Sequence, residues 1–249
     1  MNSKIGGSTK FCFSDSESCL LHLKEAGYDF AELNLGLQTE PNKVFEDKLL
    51  FLRKIIPILS VHLPDINFTE EEVEKSKNFI EILSDQGTHL FVIHLFSPNL
   101  RTKDNFELKI KKLNEVADFA RSKDSILALE NTEEDLMTLK KVFDEIPKID
   151  FCLDIGHAYL LGEEQHCISL IENFGALLKH IHMHDNVGGY SAKSDLHLPI
   201  GDGNINFTLI FEKLKGANYS GNITLELHNV DKESRRISME RARKLIFQY

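Results

Sequence analysis

No tryptophan occurs among the 249 residues of this chain, and no apolar run approaches the roughly 20 residues that a membrane-spanning helix requires. Basic side chains are in the minority, 29 Lys and Arg against 39 Asp and Glu, which leaves a formal charge of -10. Capture of nucleic acid over a broad surface depends on Lys and Arg neutralising phosphates, so this balance argues against it and leaves room only for a local basic groove. Cysteine is scarce. Cys12, Cys19, Cys152 and Cys167 show no CxxC spacing, and reduced thiols are expected rather than a disulfide framework or a cysteine zinc cluster. The opening stretch Met1-Asn-Ser-Lys-Ile-Gly-Gly-Ser8 lacks the apolar segment of an export signal, so a cytoplasmic location is the expectation. The length suits one complete domain, 1–249, that buries its core without staples.

What the chain does have is a recurrent pattern. Short apolar runs end in histidine or a carboxylate: Ile58-Leu-Ser-Val-His62, Leu90-Phe-Val-Ile-His94, Ile126-Leu-Ala-Leu-Glu130, Phe151-Cys-Leu-Asp154, His180-Ile-His182-Met-His184-Asp185 and Ile223-Thr-Leu-Glu226. Strand-like runs at 4–8, 30–35, 58–63, 90–95, 126–131, 149–154, 178–184 and 222–227 alternate with amphipathic segments. Those helical segments fall near 15–26, 43–55, 70–86, 104–122, 134–145, 163–174, 207–215 and 233–247. Strand followed by helix throughout implies parallel pairing, and eight such units predict an α/β fold, a single-domain (β/α)8 TIM barrel.

Local punctuation agrees. Thr69 ahead of Glu70-Glu-Glu72 has the form of an N-cap with dipole-matched acids, and Asp104 is placed to cap the helix that follows it. Gly27 and Gly216 stand where left-handed C-caps are expected. The longest irregular segment is 185–206.

Imidazole and carboxylate are the usual ligands of zinc, manganese and related divalent ions, and a barrel gathers its strand ends at one face. Glu130, Asp154, His157, His182 and Glu226 are the side chains expected there, joined by His62, His94 and the Asp195-Leu-His197 pair. Each also has an ordinary alternative: Asp154 can cap a helix, and His62 or His94 can be a hydrogen-bonded core histidine. His180, nearer the start of its strand, is expected to be structural, and His22, His89, His166 and His228 receive no role. Converging ionisable groups inside a barrel are costly unless they share a partner, for which a divalent cation is the simplest choice.

In their order and spacing, Leu129-Glu130-Asn131, Leu153-Asp154-Ile-Gly-His157, His182-Met-His-Asp185 and Asp195-Leu-His197-Leu-Pro-Ile-Gly201-Asp-Gly203 resemble a known superfamily. It joins the xylose isomerase-like sugar isomerases and epimerases to the endonuclease IV type of apurinic endonuclease, AP endonuclease family 2. The isomerase side of the resemblance implies one divalent ion on Glu130, Asp154, His182 and Glu226, with Glu130 and Glu226 also serving as a catalytic acid/base pair. The endonuclease side implies three zinc ions on nine ligands: His62, His94, Glu130, Asp154, His157, His182, Asp195, His197 and Glu226.

Two departures rank these readings. The loop Gly36-Leu-Gln-Thr-Glu-Pro41 has no Arg, and Leu63-Pro-Asp-Ile-Asn-Phe-Thr-Glu-Glu-Glu72 is acidic with Phe68 its only aromatic, whereas the endonucleases grip DNA with Arg and bulky rings. Conversely, characterised ketose epimerases place an Arg shortly after the seventh-strand His, and this chain reads Asp185-Asn-Val-Gly-Gly-Tyr190. The resulting expectation is a zinc- or manganese-dependent isomerase or epimerase of a small polyhydroxylated compound. The alternatives are a zinc phosphodiesterase acting on DNA at abasic sites and a non-catalytic metal-binding barrel. Asn131 is expected to orient a ligand or substrate, Lys193, Lys103 and Arg101 to meet an anionic group or solvent, and Phe68, Phe96 and Tyr159 to wall the site or simply pack.

Overall fold

A computed structural model describes residues 3–10, 16–36, 38–96, 105–189, 192–228 and 230–248. Among them the strands are β1 (Ile5–Ser8), β2 (Phe30–Asn34), β3 (Ile58–His62), β4 (Leu90–His94), β5 (Ile126–Glu130), β6 (Asp150–Asp154), β7 (Leu178–Met183) and β8 (Asn222–Leu225). The helices are α1 (Ser16–Glu25), α2 (Lys43–Leu52), α3 (Glu70–Asp85), α4 (Phe106–Ser122), α5 (Leu136–Glu145), α6 (Ile155–Phe174), α7 (Phe207–Gly216) and α8 (Lys232–Gln248). The strands close in chain order into a parallel barrel, β1 pairing with both β2 and β8. No helix among the described residues is long and apolar enough to cross a membrane.

The strand period of two divides each strand between two environments. Phe91, Ile93, Leu127, Leu129 and Leu153 belong to the large buried cluster that also holds Leu20, Phe79, Val116 and Leu170 of the helices. Val92, Ala128 and Cys152 form a separate small cluster within the barrel. The residues two positions further along these strands, His94, Glu130 and Asp154, therefore share that inward phase, at the C-terminal mouth.

Thr69 caps α3 in a full capping box with Glu72, Asn42 caps α2 and Asp135 caps α5. Gly27 is left-handed at φ 86 as expected, but Gly216 is the last residue of α7, and Asn218, at φ 57, takes the left-handed position instead. Asn tolerates that region because its short amide side chain can hydrogen-bond the local backbone. The sixth helix starts earlier than the periodicity suggests. Residues 155–161 form a first segment, separated by non-helical backbone at Gly162 and Glu163 from the expected 163–174 segment. Asp104, Arg101 and Lys103 lie outside the described residues, as does Cys12. Cys152 and Cys167 are free and buried as expected, whereas Cys19 is disulfide-bonded, which corrects the expectation of reduced thiols throughout.

Candidate metal centre

Six inward positions at the strand ends, His62, His94, Glu130, Asp154, His182 and Glu226, are all buried. Register brings His94 level with Glu130 and Asp154 level with His182. The layer beneath is Ser60, Val92, Ala128, Cys152, His180 and Thr224, also buried. His157 joins from the first turn of α6, while Asp195 and His197 come from the long connection after β7.

The nine expected donors fall into three groups. His62, His94 and Glu130 form one; Glu130, Asp154, His182 and Glu226 form the second; His157, Asp195 and His197, with His184 added, form the third. Within each, one ligand atom per residue lies within 4.8 Å of all the others. Glu130 belongs to the first two groups, and its Oε1 lies 3.4 Å from His157 Nδ1 in the third.

Four of the histidines have one ring nitrogen committed to an acceptor, which decides what the other presents. His62 Nδ1 donates to Leu63 O at 2.8 Å, His94 Nδ1 to Asp65 Oδ1 at 2.7 Å, His157 Nδ1 to Asn131 O at 3.2 Å and His197 Nδ1 to Glu226 O at 2.9 Å. Their Nε2 atoms then face the site. His62 Nε2 and His94 Nε2 lie 3.2 Å apart, each 3.1 Å from Glu130 Oε2. Neutral rings would oppose two lone pairs at that distance, so the metal-free chain must keep a proton there, where a divalent ion would replace it. His157 Nε2 and His197 Nε2 converge on Asp195 Oδ2 at 3.4 and 3.0 Å.

The donor set fits divalent ions on a second count. Glu130 Oε1, Asp154 Oδ2, Asp195 Oδ1 and both carboxylate oxygens of Glu226 are buried without a hydrogen-bond donor, a costly condition for charged oxygens that lack a cation. Burial opposes ionisation throughout, yet the groups shift one another strongly. His182 and His94 hold the Glu130 carboxyl well below the usual range, and His157 and His184 bring Asp154 to about 2. Against the same desolvation, Glu130 and the hydrogen-bonded Asp65 push His94 up to about 9.

Asp154 combines its two expected roles. Oδ1 caps α6 by accepting from His157 N at 2.7 Å, and the carboxylate remains part of the centre. Asn131 holds a candidate ligand: its amide makes reciprocal bonds with Asp154 N and O at 2.8 and 3.0 Å, tying the end of β5 to β6. Phe68 is buried in the core cluster and Phe96 packs against Phe106, the packing alternative for both rings. Tyr159 is buried in that cluster as well, and Lys193 is exposed.

The loop motif is a clamp. Asp185 accepts from Asn186 N and Ile205 N on Oδ1 and from Gly201 N on Oδ2, and bridges Leu198 in an antiparallel pair. A side chain at Gly203 would collide with Asp185 and the backbone of Asn186. This clamp carries Asp195 and His197 to the mouth, with His197 held at φ 47, a sparsely populated conformation for a residue other than Gly.

Four groups at the centre, His184, His228, Lys10 and Glu32, were not among the nine expected donors. His184 lies 3.1 Å from Asp154 Oδ1 and stacks on His197, which stacks on His228, previously given no role. Lys10, two residues beyond β1, brings its ammonium 3.8 Å from Glu226 Oε2 and lines a cavity of about 160 Å³ with Asn34, His62, Asp65 and His94. Glu32 on β2 is buried beneath the centre. Strand phase was the available signal: Lys10 continues the alternation of β1, and Glu32 is a lone charge inside an apolar strand. His184 owes its place to Gly156, where a Cβ would fall within its ring. Gly156→Ala is therefore expected to cost about 1–3 kcal/mol through overpacking, read as a lower urea midpoint of the chelated protein; a wild-type midpoint would show that the ring yields freely.

A parallel eight-stranded barrel with imidazoles and carboxylates gathered at its C-terminal mouth defines the class as a (β/α)8 protein with a candidate metal centre. Residues 20–246 match the family model described as xylose isomerase-like TIM barrel, and the chain belongs to that family. An uncharacterized protein of Methanocaldococcus jannaschii is 31% identical over 172 residues, which span 64% of this chain and only 57% of that relative. An uncharacterized protein of Mycobacterium leprae is 23% identical over 259 aligned positions, 90% of this chain and 88% of that protein. The crystal structure of a D-tagatose 3-epimerase-like protein superposes with a TM-score of 0.77 at 23% identity, covering 98% of this chain and 97% of its own. D-psicose 3-epimerase of Clostridium cellulolyticum H10, solved with D-tagatose, gives 0.77 at 14% identity over 98% and 99%.

Proposed function

We propose that this chain is a divalent-metal-dependent isomerase or epimerase acting on a small polyhydroxylated compound such as a sugar, sugar phosphate or cyclitol. The observation that carries the reading is the convergence of Glu130, Asp154, His182 and Glu226 from four consecutive strand ends, with oxygens of both glutamates left without hydrogen-bond donors. The epimerase names of two proteins sharing the fold agree with it. Zinc or manganese held by these four residues would polarise a substrate carbonyl and hydroxyl. Glu130 and Glu226 are the acid/base pair: one carboxylate would remove the proton beside the carbonyl, while the other would take a proton from a substrate hydroxyl and deliver it to that carbon, the first then returning its proton to the hydroxyl oxygen so that both end ionised. Lys10 holds Glu226 in its charged form, and the Asn131 tie fixes Asp154 against movement.

A second reading, an endonuclease IV-like zinc phosphodiesterase that cleaves DNA at abasic sites, is favoured by the grouping of all nine donors into three sets linked through Glu130. Three zinc ions there would supply hydroxide and neutralise charge on a phosphodiester. Metal content per chain, measured by elemental analysis of protein purified without chelator, separates the two. The proposal expects one tightly held ion and turnover in a sugar and cyclitol screen. About three zinc ions with cleavage of an abasic duplex would replace it with the second reading.

A further inference from the structure

We infer that Glu32 is a positioning residue that sets which nitrogen of His182 faces the metal centre. The inference rests on the proposal that His182 is a metal ligand. Glu32 is fully buried inside the barrel, where an isolated carboxylate is expensive and must be paired. Its Oε2 accepts from Ser60 Oγ at 2.7 Å and lies 3.0 Å from His180 Nε2, with Thr224 Oγ1 at 3.4 Å. Its Oε1 and His182 Nε2 lie 3.0 Å apart, and neither atom has another hydrogen-bond partner. The opposite ring nitrogen, Nδ1, lies 3.0 Å from Glu130 Oε2 and 3.9 Å from Glu226 Oε1.

A carboxylate accepts but cannot donate, so Glu32 requires the proton of His182 on Nε2 and leaves the Nδ1 lone pair for a cation. His182 is thereby distinguished from His62, His94, His157 and His197, which keep a proton on Nδ1 and present Nε2. Glu32, His180 and His182 also lie close enough to hold an ion among themselves. The positioning role fits the arrangement better, because Ser60 and Thr224 already donate to Oε2 and an ion on Oε1 would displace the His182 Nε2 contact against it.

Glu32→Gln tests this with a defined geometry. The Gln oxygen must take the Oε2 place, where Ser60 donates, which puts its NH₂ against His182 Nε2. That amide donates, so Nε2 becomes the acceptor and the ring proton moves to Nδ1, against the metal. Zinc affinity at the Glu130, Asp154, His182 and Glu226 group, measured by competition with a chromophoric chelator, is expected to fall about 10- to 100-fold, while far-UV circular dichroism is unchanged. Zinc-loaded wild-type chain provides a second readout that needs no variant: ¹⁵N-edited spectra should show His182 protonated at Nε2 and metallated at Nδ1. Unchanged zinc affinity in a folded Glu32→Gln variant, or a His182 proton on Nδ1 in the loaded wild type, overturns the role of Glu32 alone. A wild-type chain that binds no zinc overturns the metal reading, and this inference with it.

Discussion

On the proposed function, Glu130→Gln is expected to lower turnover on the order of 10²- to 10⁴-fold, the contribution of a positioned acid or base, and to reduce the metal content of the purified protein. Both effects come from one atom set. Glu130 Oε2 lies 3.1 Å from the Nε2 atoms of His62 and His94 and 3.0 Å from His182 Nδ1, so a neutral amide there removes a ligand charge from two donor groups together. Gln keeps the shape, and the variant should fold. Steady-state rates at saturating zinc or manganese, with elemental analysis of the same sample, measure the two losses separately. Full turnover in a metal-replete variant would remove Glu130 from the chemistry, and full metal content would remove it from the ligand set.

The second large effect is a divergence with pH between metal-free and metal-loaded chains. His94 is raised from 6.5 to about 9 in the fold, so its protonated form stabilises the metal-free chain. That contribution is complete below pH 6.5 and disappears as pH rises through 9, about 3 kcal/mol for this group. His157 and His182 are shifted in the same direction. Asp154, lowered to about 2, stabilises above pH 3.8 and loses its contribution as pH falls through 2, so it does not change in this window. Divalent ions need these imidazoles unprotonated, and their binding releases the same protons. Urea midpoints with excess chelator should fall between pH 6.5 and 9.5, while the additional stability conferred by excess zinc should grow over that interval. Parallel curves would show that the histidine protons and the ion do not compete.

Strand ends made much of the centre legible in the amino-acid order. Six donors close apolar runs, and the period of two places them in one phase of the barrel, whatever the details of packing. His157 follows Asp154 by one helical turn, and that spacing alone puts it over the mouth. Glu32 went unread because its place inside an apolar strand marks it as unusual without naming its partners, His180 and His182 of β7, which lie far away in the chain. The Asp185, Gly201 and Gly203 motif was legible as a pattern but not as a clamp, since its bonds join backbone groups far apart in the chain. The early start of α6 was missed because residues 155–161 end in non-helical backbone at Gly162 and Glu163, where the apolar periodicity breaks.

By itself the sequence determined the order of eight strand and helix units and put forward the nine candidate donors, because alternation, helical spacing and the loop motif are local properties of the chain. Only the closed barrel decided how those donors divide, which ring nitrogen each histidine presents and which unanticipated groups stand among them. Closure sets β1 beside β8, and so Lys10 beside Glu226. It also sets Glu32 of β2 against His180 and His182 of β7. Such pairings depend on register and stagger around the whole barrel, and no window of neighbouring residues contains them.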